Sequence, residues 1–228
     1  MIRVKSASWW SYCLACSALL LIPLVGLIYV HLNQEGTRVY SLVTDLDRHI
    51  PFLKGFVVPY LSWYGFLLVC FLYLAYKDRR NYYITLVESV VGLLICYGLY
   101  AIYQTTVPRP ELIGSDPLLR MVAWVYRTDE PFNCFPSTHV LTSYLMMRAY
   151  LRTTHVALRY KIIVSCMSLL IILSTQFVKQ HVLLDIVGAI LVAECVVYAL
   201  DRMRRGWLAD SPMTVRTQQS KLEGGLRQ

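Results

Sequence analysis

Apolar residues gather in six runs, near Tyr12 to Val30, Phe56 to Tyr76, Tyr83 to Tyr103, Ser137 to Leu151, Ile162 to Val178 and Val182 to Leu200. Short segments rich in charge, proline or glycine separate them. A helix crosses a bilayer with about 20 apolar residues, and these runs reach or approach that length. The pattern predicts an all-α, polytopic membrane protein of six transmembrane helices. The fourth run is short and carries Arg148, so its limits are soft. One further stretch, Pro117 to Arg127, places apolar residues on a helical period with charge between them. It reads either as an amphipathic helix lying on the membrane beside a site or as a plain packing helix. Beyond Leu208 the chain turns polar, so residues 1–208 are expected to form one membrane domain, with a core at about 56–200. Residues 209–228 are expected to be a disordered tail.

Composition sharpens this picture. At 57% hydrophobic and 16% charged residues, with a mean hydropathy of +0.49, the chain is too apolar for an ordinary soluble domain. The first run follows Arg3 and Lys5 but is long for a signal peptide, and it reads as a retained anchor. Seven cysteines sit almost wholly within the apolar runs, which indicates no disulfide framework. The net charge of +8 would suit nucleic acid, but its placement argues against that partner. Lys77, Arg79, Arg80, Arg148, Arg152, Arg159, Lys161, Arg202, Arg204 and Arg205 join Arg3 and Lys5 on one side. That is the positive-inside pattern, with both termini cytoplasmic. The compact length and the lack of glycosylation-rich loops lean toward a bacterial inner membrane.

Candidate chemistry lies on the opposite, external face. His181 and Asp185 are four apart at the mouth of the last run, a spacing that lets a carboxylate take one imidazole N–H and leave the other nitrogen basic. Ionisable groups near lipid are costly and are seldom kept without a use. Arg109 is held between Pro108 and Pro110 just outside the third run. Pro136-Ser137 opens the fourth run as a helix N-terminus suited to an anion, with His139 in its first turn. Other features read more plainly. Thr44-Asp45-Leu46-Asp47 suits helix capping over a cation site, and Tyr60, Trp63 and Tyr64 read as an interfacial aromatic belt. Glu88, Glu194 and Arg148 are expected to pair inside the bundle.

Taken together, Arg109-Pro110, Pro136-Ser137-Thr138-His139 and Ser174 with His181 and Asp185 resemble the three blocks of the type 2 phosphatidic acid phosphatase and vanadium haloperoxidase superfamily. Those blocks are K-x6-R-P, P-S-G-H and S-R-x5-H-x3-D. The resemblance implies that His181 attacks phosphorus to form a phosphohistidine, that Asp185 orients it, and that His139 protonates the leaving alkoxide. It implies that Arg109, Ser137, Thr138 and nearby amides hold phosphate oxygens, on a membrane lipid substrate and without a metal or other cofactor. Ile102, Thr138 and Thr175 stand where the family has lysine, glycine and arginine. Lys179, Gln104 and Thr175 are candidate substitutes around the phosphate. With two cations missing, a phosphodiester suits the site better than a more highly charged monoester. The form Phe135-Pro-Ser-x-His139-Val140 is similar to the inositol phosphorylceramide synthase branch, which transfers head groups to alcohols. Lipid phosphoester cleavage is the expectation, with head-group transfer the alternative. A lipid-binding relative without chemistry, a polyprenyl diphosphate phosphatase and a transporter remain further readings.

Overall fold

A computed structural model describes residues 9–209, with side chains to Arg205. The polar tail expected at 209–228 lies outside the described residues from 210 onward. By contact the chain divides into two units, residues 1–193 and 194–228.

The first unit is almost wholly helical. In chain order it runs α1 (Trp9–Ser17), α2 (Leu21–Leu32), β1 (Tyr40–Ser41), α3 (Asp45–His49), α4 (Val57–Lys77), α5 (Arg79–Ile102), β2 (Thr105–Thr106), α6 (Pro117–Thr128), α7 (Thr138–Arg152), α8 (Leu158–Phe177) and the start of α9 (Leu183–Ala209). A 3₁₀ turn at Ala18–Leu20 joins α1 to α2. Pro23 explains it, because the missing N–H and the ring's clash with the carbonyl four residues back break the α ladder there. Among the described residues, five helical stretches are long and apolar enough to cross a membrane: Trp9–Leu32, Lys54–Lys77, Arg79–Ile102, Leu158–Phe177 and Leu183–Arg205. The sixth expected span is α7, whose 15 residues rise about 22 Å against a hydrocarbon core of about 30 Å.

Helix α7 packs chiefly on α8 and α5, while α2 lies along α5 and α1 along α4. Gly92 of α5 lets Leu141 of α7 come close, since a Cβ there would sit 3.0 Å from the leucine. At the C-terminus of α7 Arg152 turns inward and grips Glu88, one turn before Gly92 on α5, with Nη1 to Oε1 at 2.7 Å and Nη2 to Oε2 at 2.9 Å. Nη2 also donates to Thr85 Oγ1 at 2.8 Å. Arg152, assigned from sequence to the loop cations, is therefore the partner of buried Glu88.

The loops that frame the other end are cross-tied. β1 pairs in parallel with β2, Tyr40 opposite Thr105. α3 is closed by a capping box in which Thr44 and Asp47 exchange bonds, as its sequence suggested. α6 begins with Asp116 as N-cap and Pro117 at its first position. It buries Val122 and Val125 in a cluster with Val57, Tyr60 and Val178. The described part of the second unit is the remainder of α9, where Asp201 and Arg204 pair at 2.9 Å.

Candidate functional site

The five residues between α8 and α9 hold the first histidine. Gln180 and His181 both donate their backbone N–H to Thr175 O, at 3.0 and 3.2 Å. Lys179 takes a left-handed φ of 57° that turns the chain back. The helix begins at Leu183, so His181 lies in the turn before it rather than on its face. Asp185 folds back and caps that turn, its Oδ2 accepting from Val182 N at 2.8 Å. His181 Nδ1 lies 3.3 Å from the same oxygen and 3.0 Å from Cys134 O. Both neighbours are acceptors, so Nδ1 carries the proton and Nε2 keeps its lone pair.

The segment before α7 is locked to this turn. Ser137 N donates to Asp185 O at 3.3 Å, Tyr100 hydroxyl to Pro136 O at 2.5 Å, and Phe135 N to Thr105 Oγ1 at 2.8 Å. Gly188 makes room for Phe135, since any Cβ on Gly188 would run into that ring. Ser137 caps α7, its Oγ accepting from Val140 N at 3.3 Å. His139 follows in the first turn, 7% exposed. Tyr60 stacks against it with centroids 4.5 Å apart, Trp63 lies at 4.1 Å, and the His181 ring is 6.0 Å away. Trp63 is itself anchored by donating to Thr142 Oγ1 at 2.9 Å. Of the residues read as an interfacial belt, Tyr64 stays 67% exposed, while Tyr60 and Trp63 are walls around His139. Their ring faces turn inward because α4 lies against α7.

Both imidazoles line one cavity of about 530 Å³. Thr138, Thr142, Asn133, Tyr29, Tyr64 and Asp129 share its polar end, and Leu19, Ile22, Leu67, Phe71 and Leu93 continue it between apolar walls. Asp129 was not anticipated from sequence. It follows the last residue of α6 in a polar Thr128-Asp129-Glu130 run that looks like any exposed helix end. Folding swings its carboxylate under Tyr29 hydroxyl (2.5 Å) and Asn33 amide (3.2 Å) on Oδ1. Tyr60 hydroxyl and Gln180 amide, each at 3.4 Å, lie on Oδ2.

The cations expected around a phosphate are placed elsewhere. Arg109 stands behind the wall, donating to Tyr126 O at 2.9 Å, to Asp129 O at 2.6 Å and to Gln180 Oε1, with its guanidinium over the Tyr126 ring. Its Nε is buried with no hydrogen-bond partner among the described residues. Lys179 gives its ammonium to Asp47 O and Ile50 O, at 3.1 and 2.5 Å. Desolvation pulls it below the ordinary lysine value, and the Asp47 charge opposes that pull. Gln104 cross-links loops, donating to Gln34 O and Asn133 Oδ1 while accepting from Gly36 N. Thr175 turns its hydroxyl to Ile172 O and serves the site through its carbonyl. Among the described residues that line the cavity there are two histidines and one carboxylate, and no lysine or arginine.

Such an arrangement offers a basic Nε2 on a fixed ring, a second imidazole within reach, and the free N–H groups of a helix start. That is the equipment for nucleophilic displacement with a proton transfer to the leaving group. No protein-family model, curated protein or solved structure matches this chain.

Proposed function

We propose that this protein is an integral-membrane lipid phosphoesterase of the phosphatidic acid phosphatase type, with six spans, cytoplasmic termini and an outward-facing site. The observation that carries the reading is the pair of histidines on one cavity, with His181 Nδ1 bound to acceptors and Nε2 left basic. Nε2 attacks phosphorus and a P–N bond forms while the P–O bond to the leaving alkoxide breaks. His139 hands its proton to that oxygen. In the second half, His139 takes a proton from the incoming acceptor, whose oxygen attacks phosphorus and releases His181. The amides at the start of α7, beside Thr138 on the cavity wall, hold the nonbridging oxygens. The apolar walls along α2, α4 and α5 take the tail.

A second reading, head-group transfer from a phosphodiester to an alcohol, is favoured by the absence of lysine and arginine from the described lining. A diester carries about one negative charge where a monoester approaches two, so it needs less compensation. The experiment is turnover by the full-length protein in detergent against phosphatidic acid, a polyprenyl diphosphate and phosphodiester lipids, with and without an alcohol acceptor. Release of phosphate or head group that disappears in His181→Ala supports the reading, and dependence on the alcohol selects transfer. Turnover that survives in His181→Ala overturns it.

A further inference from the structure

The polar end of the cavity has the wrong charge for a bare phosphate. Asp129 brings a carboxylate into it, while outside the lining Arg109 is held by Tyr126 O, Asp129 O and the Gln180 side chain and Lys179 by Asp47 O and Ile50 O. Tyr29, Tyr60 and Trp63 line the cavity with it, and the exposed rings of Tyr64 and of Trp124 on α6 border it. A carboxylate among aromatic rings is an environment for a cation. No lysine or arginine of the described lining supplies it, so a cation inside the cavity comes with the substrate.

The chemistry of Asp129 narrows the choice. A carboxylate accepts about four hydrogen bonds, and each oxygen here already faces two neutral donors: Tyr29 and Asn33 on Oδ1, Tyr60 and Gln180 on Oδ2. A primary ammonium seeks acceptors for three N–H groups and finds these oxygens occupied. A quaternary ammonium donates none and needs only negative potential and ring faces. Gln180 precedes His181 directly, so the ammonium end of the cavity adjoins the attacking nitrogen in the chain.

We propose that the cavity recognises the choline-type head group of a zwitterionic phospholipid, with the quaternary ammonium beside Asp129 among the aromatic rings and the phosphodiester toward His181 and His139. The assignment rests on the phosphoesterase reading, which supplies the phosphate end. A zwitterion is net neutral and brings the positive charge that the lining lacks.

The test is equilibrium binding to full-length protein in detergent carrying His181→Ala, so that nothing turns over. Dihexanoyl phosphatidylcholine, phosphatidylethanolamine and phosphatidylglycerol are titrated separately and followed by tryptophan fluorescence, since Trp63 and Trp124 line the cavity. The choline lipid is expected to bind about tenfold tighter than the glycerol lipid, with ethanolamine between. Asp129→Asn in this background brings choline and glycerol lipids to within about twofold. Equal binding of choline and glycerol lipids overturns the proposal, as does ethanolamine binding tightest or a preference unchanged in Asp129→Asn. Should Asp129→Asn fail to fold, tetramethylammonium chloride is titrated against the choline lipid on the histidine variant alone. It is expected to compete where the same concentration of sodium chloride does not, and equal effects overturn the assignment. Loss of the preference with turnover intact in the unaltered protein removes the choline assignment and leaves the phosphoesterase reading. A preference without any turnover does the reverse.

Discussion

Asp185 offers one carboxylate oxygen to Val182 N and His181 Nδ1 and keeps the other buried with no hydrogen-bond partner among the described residues. Asparagine fits the same space but removes the charge that steadies an imidazolium, and one of its two orientations turns the amide N–H₂ toward Nδ1 and forces the wrong tautomer. Asp185→Asn is therefore expected to lower kcat roughly 10²- to 10⁴-fold while leaving KM within about threefold. Steady-state kinetics check it, and a change confined to KM would contradict the orienting role. This pair was legible in sequence because four-residue spacing is local, and local geometry survives even though His181 lies before the helix and not on it. Asp129 was illegible for the opposite reason. Its partners Tyr29, Asn33 and Tyr60 are distant in sequence, and nothing around Thr128-Asp129-Glu130 marks a carboxylate that turns inward. Arg109 shows the converse limit: its position beside two prolines could be read, but the oxygens that occupy its guanidinium come from the last turn of α6, from Asp129 just after it and from the Gln180 side chain in the turn before α9.

Between elements, polar links hold α7, which carries His139, and the start of α9, which follows His181. Arg152 joins α7 to α5 through Glu88, whose side chain is 1% exposed. Removing the arginine leaves a buried carboxylate uncompensated, so Arg152→Ala is expected to cost about 3–5 kcal/mol. Adding Glu88→Gln should recover part of that loss in thermal unfolding in detergent, and no recovery would mean the cation serves some other group. At the other end Asp47 accepts from Thr44 N and from Leu183 N, the latter at 2.8 Å, and so fastens α3 to the start of α9. Burial works to raise the Asp47 carboxyl, but the bonds from Thr44 and Leu183 and the Lys179 charge prevail and hold it below its ordinary value of 3.8. A carboxyl depressed in the folded state stabilises above its unfolded value and loses that contribution as pH falls through the folded one. The unaltered protein should therefore lose stability on acidification below about pH 4 more steeply than Asp47→Asn, read as the change in Tm with pH. Parallel pH curves would refute it. The helices themselves were legible because lipid-facing and core-facing runs are both apolar, and the six runs fall on α1 with α2, α4, α5, α7, α8 and α9. What hydropathy could not register is the turning of aromatic side chains on α4 toward His139, since a belt and a cavity wall have the same composition.

Across the first unit, the cavity joins a polar end at Tyr29 and Tyr60 to an apolar end at Leu19 and Phe71. From Tyr60 to Phe71 along α4 is about 16 Å at 1.5 Å per residue, room for several methylenes of a tail beyond the head group. Gly26 sits on this path, and a Cβ placed there meets nothing within 4 Å. The Cβ of a leucine at that position meets open space, and its branch is expected to fill the space a tail would take. Each methylene excluded from an apolar site costs about 0.8 kcal/mol, roughly fourfold in affinity. The unaltered protein is therefore expected to bind dioctanoyl lipids tighter than dihexanoyl ones, and Gly26→Leu to flatten that preference by at least about fourfold while leaving dihexanoyl binding near its original value. Paired titrations with the two chain lengths decide it. If dihexanoyl binding falls as much as dioctanoyl binding, the leucine has disturbed the head-group end and the tail does not follow this path. If neither changes, the apolar end holds no part of the ligand, and the cavity serves a head group alone.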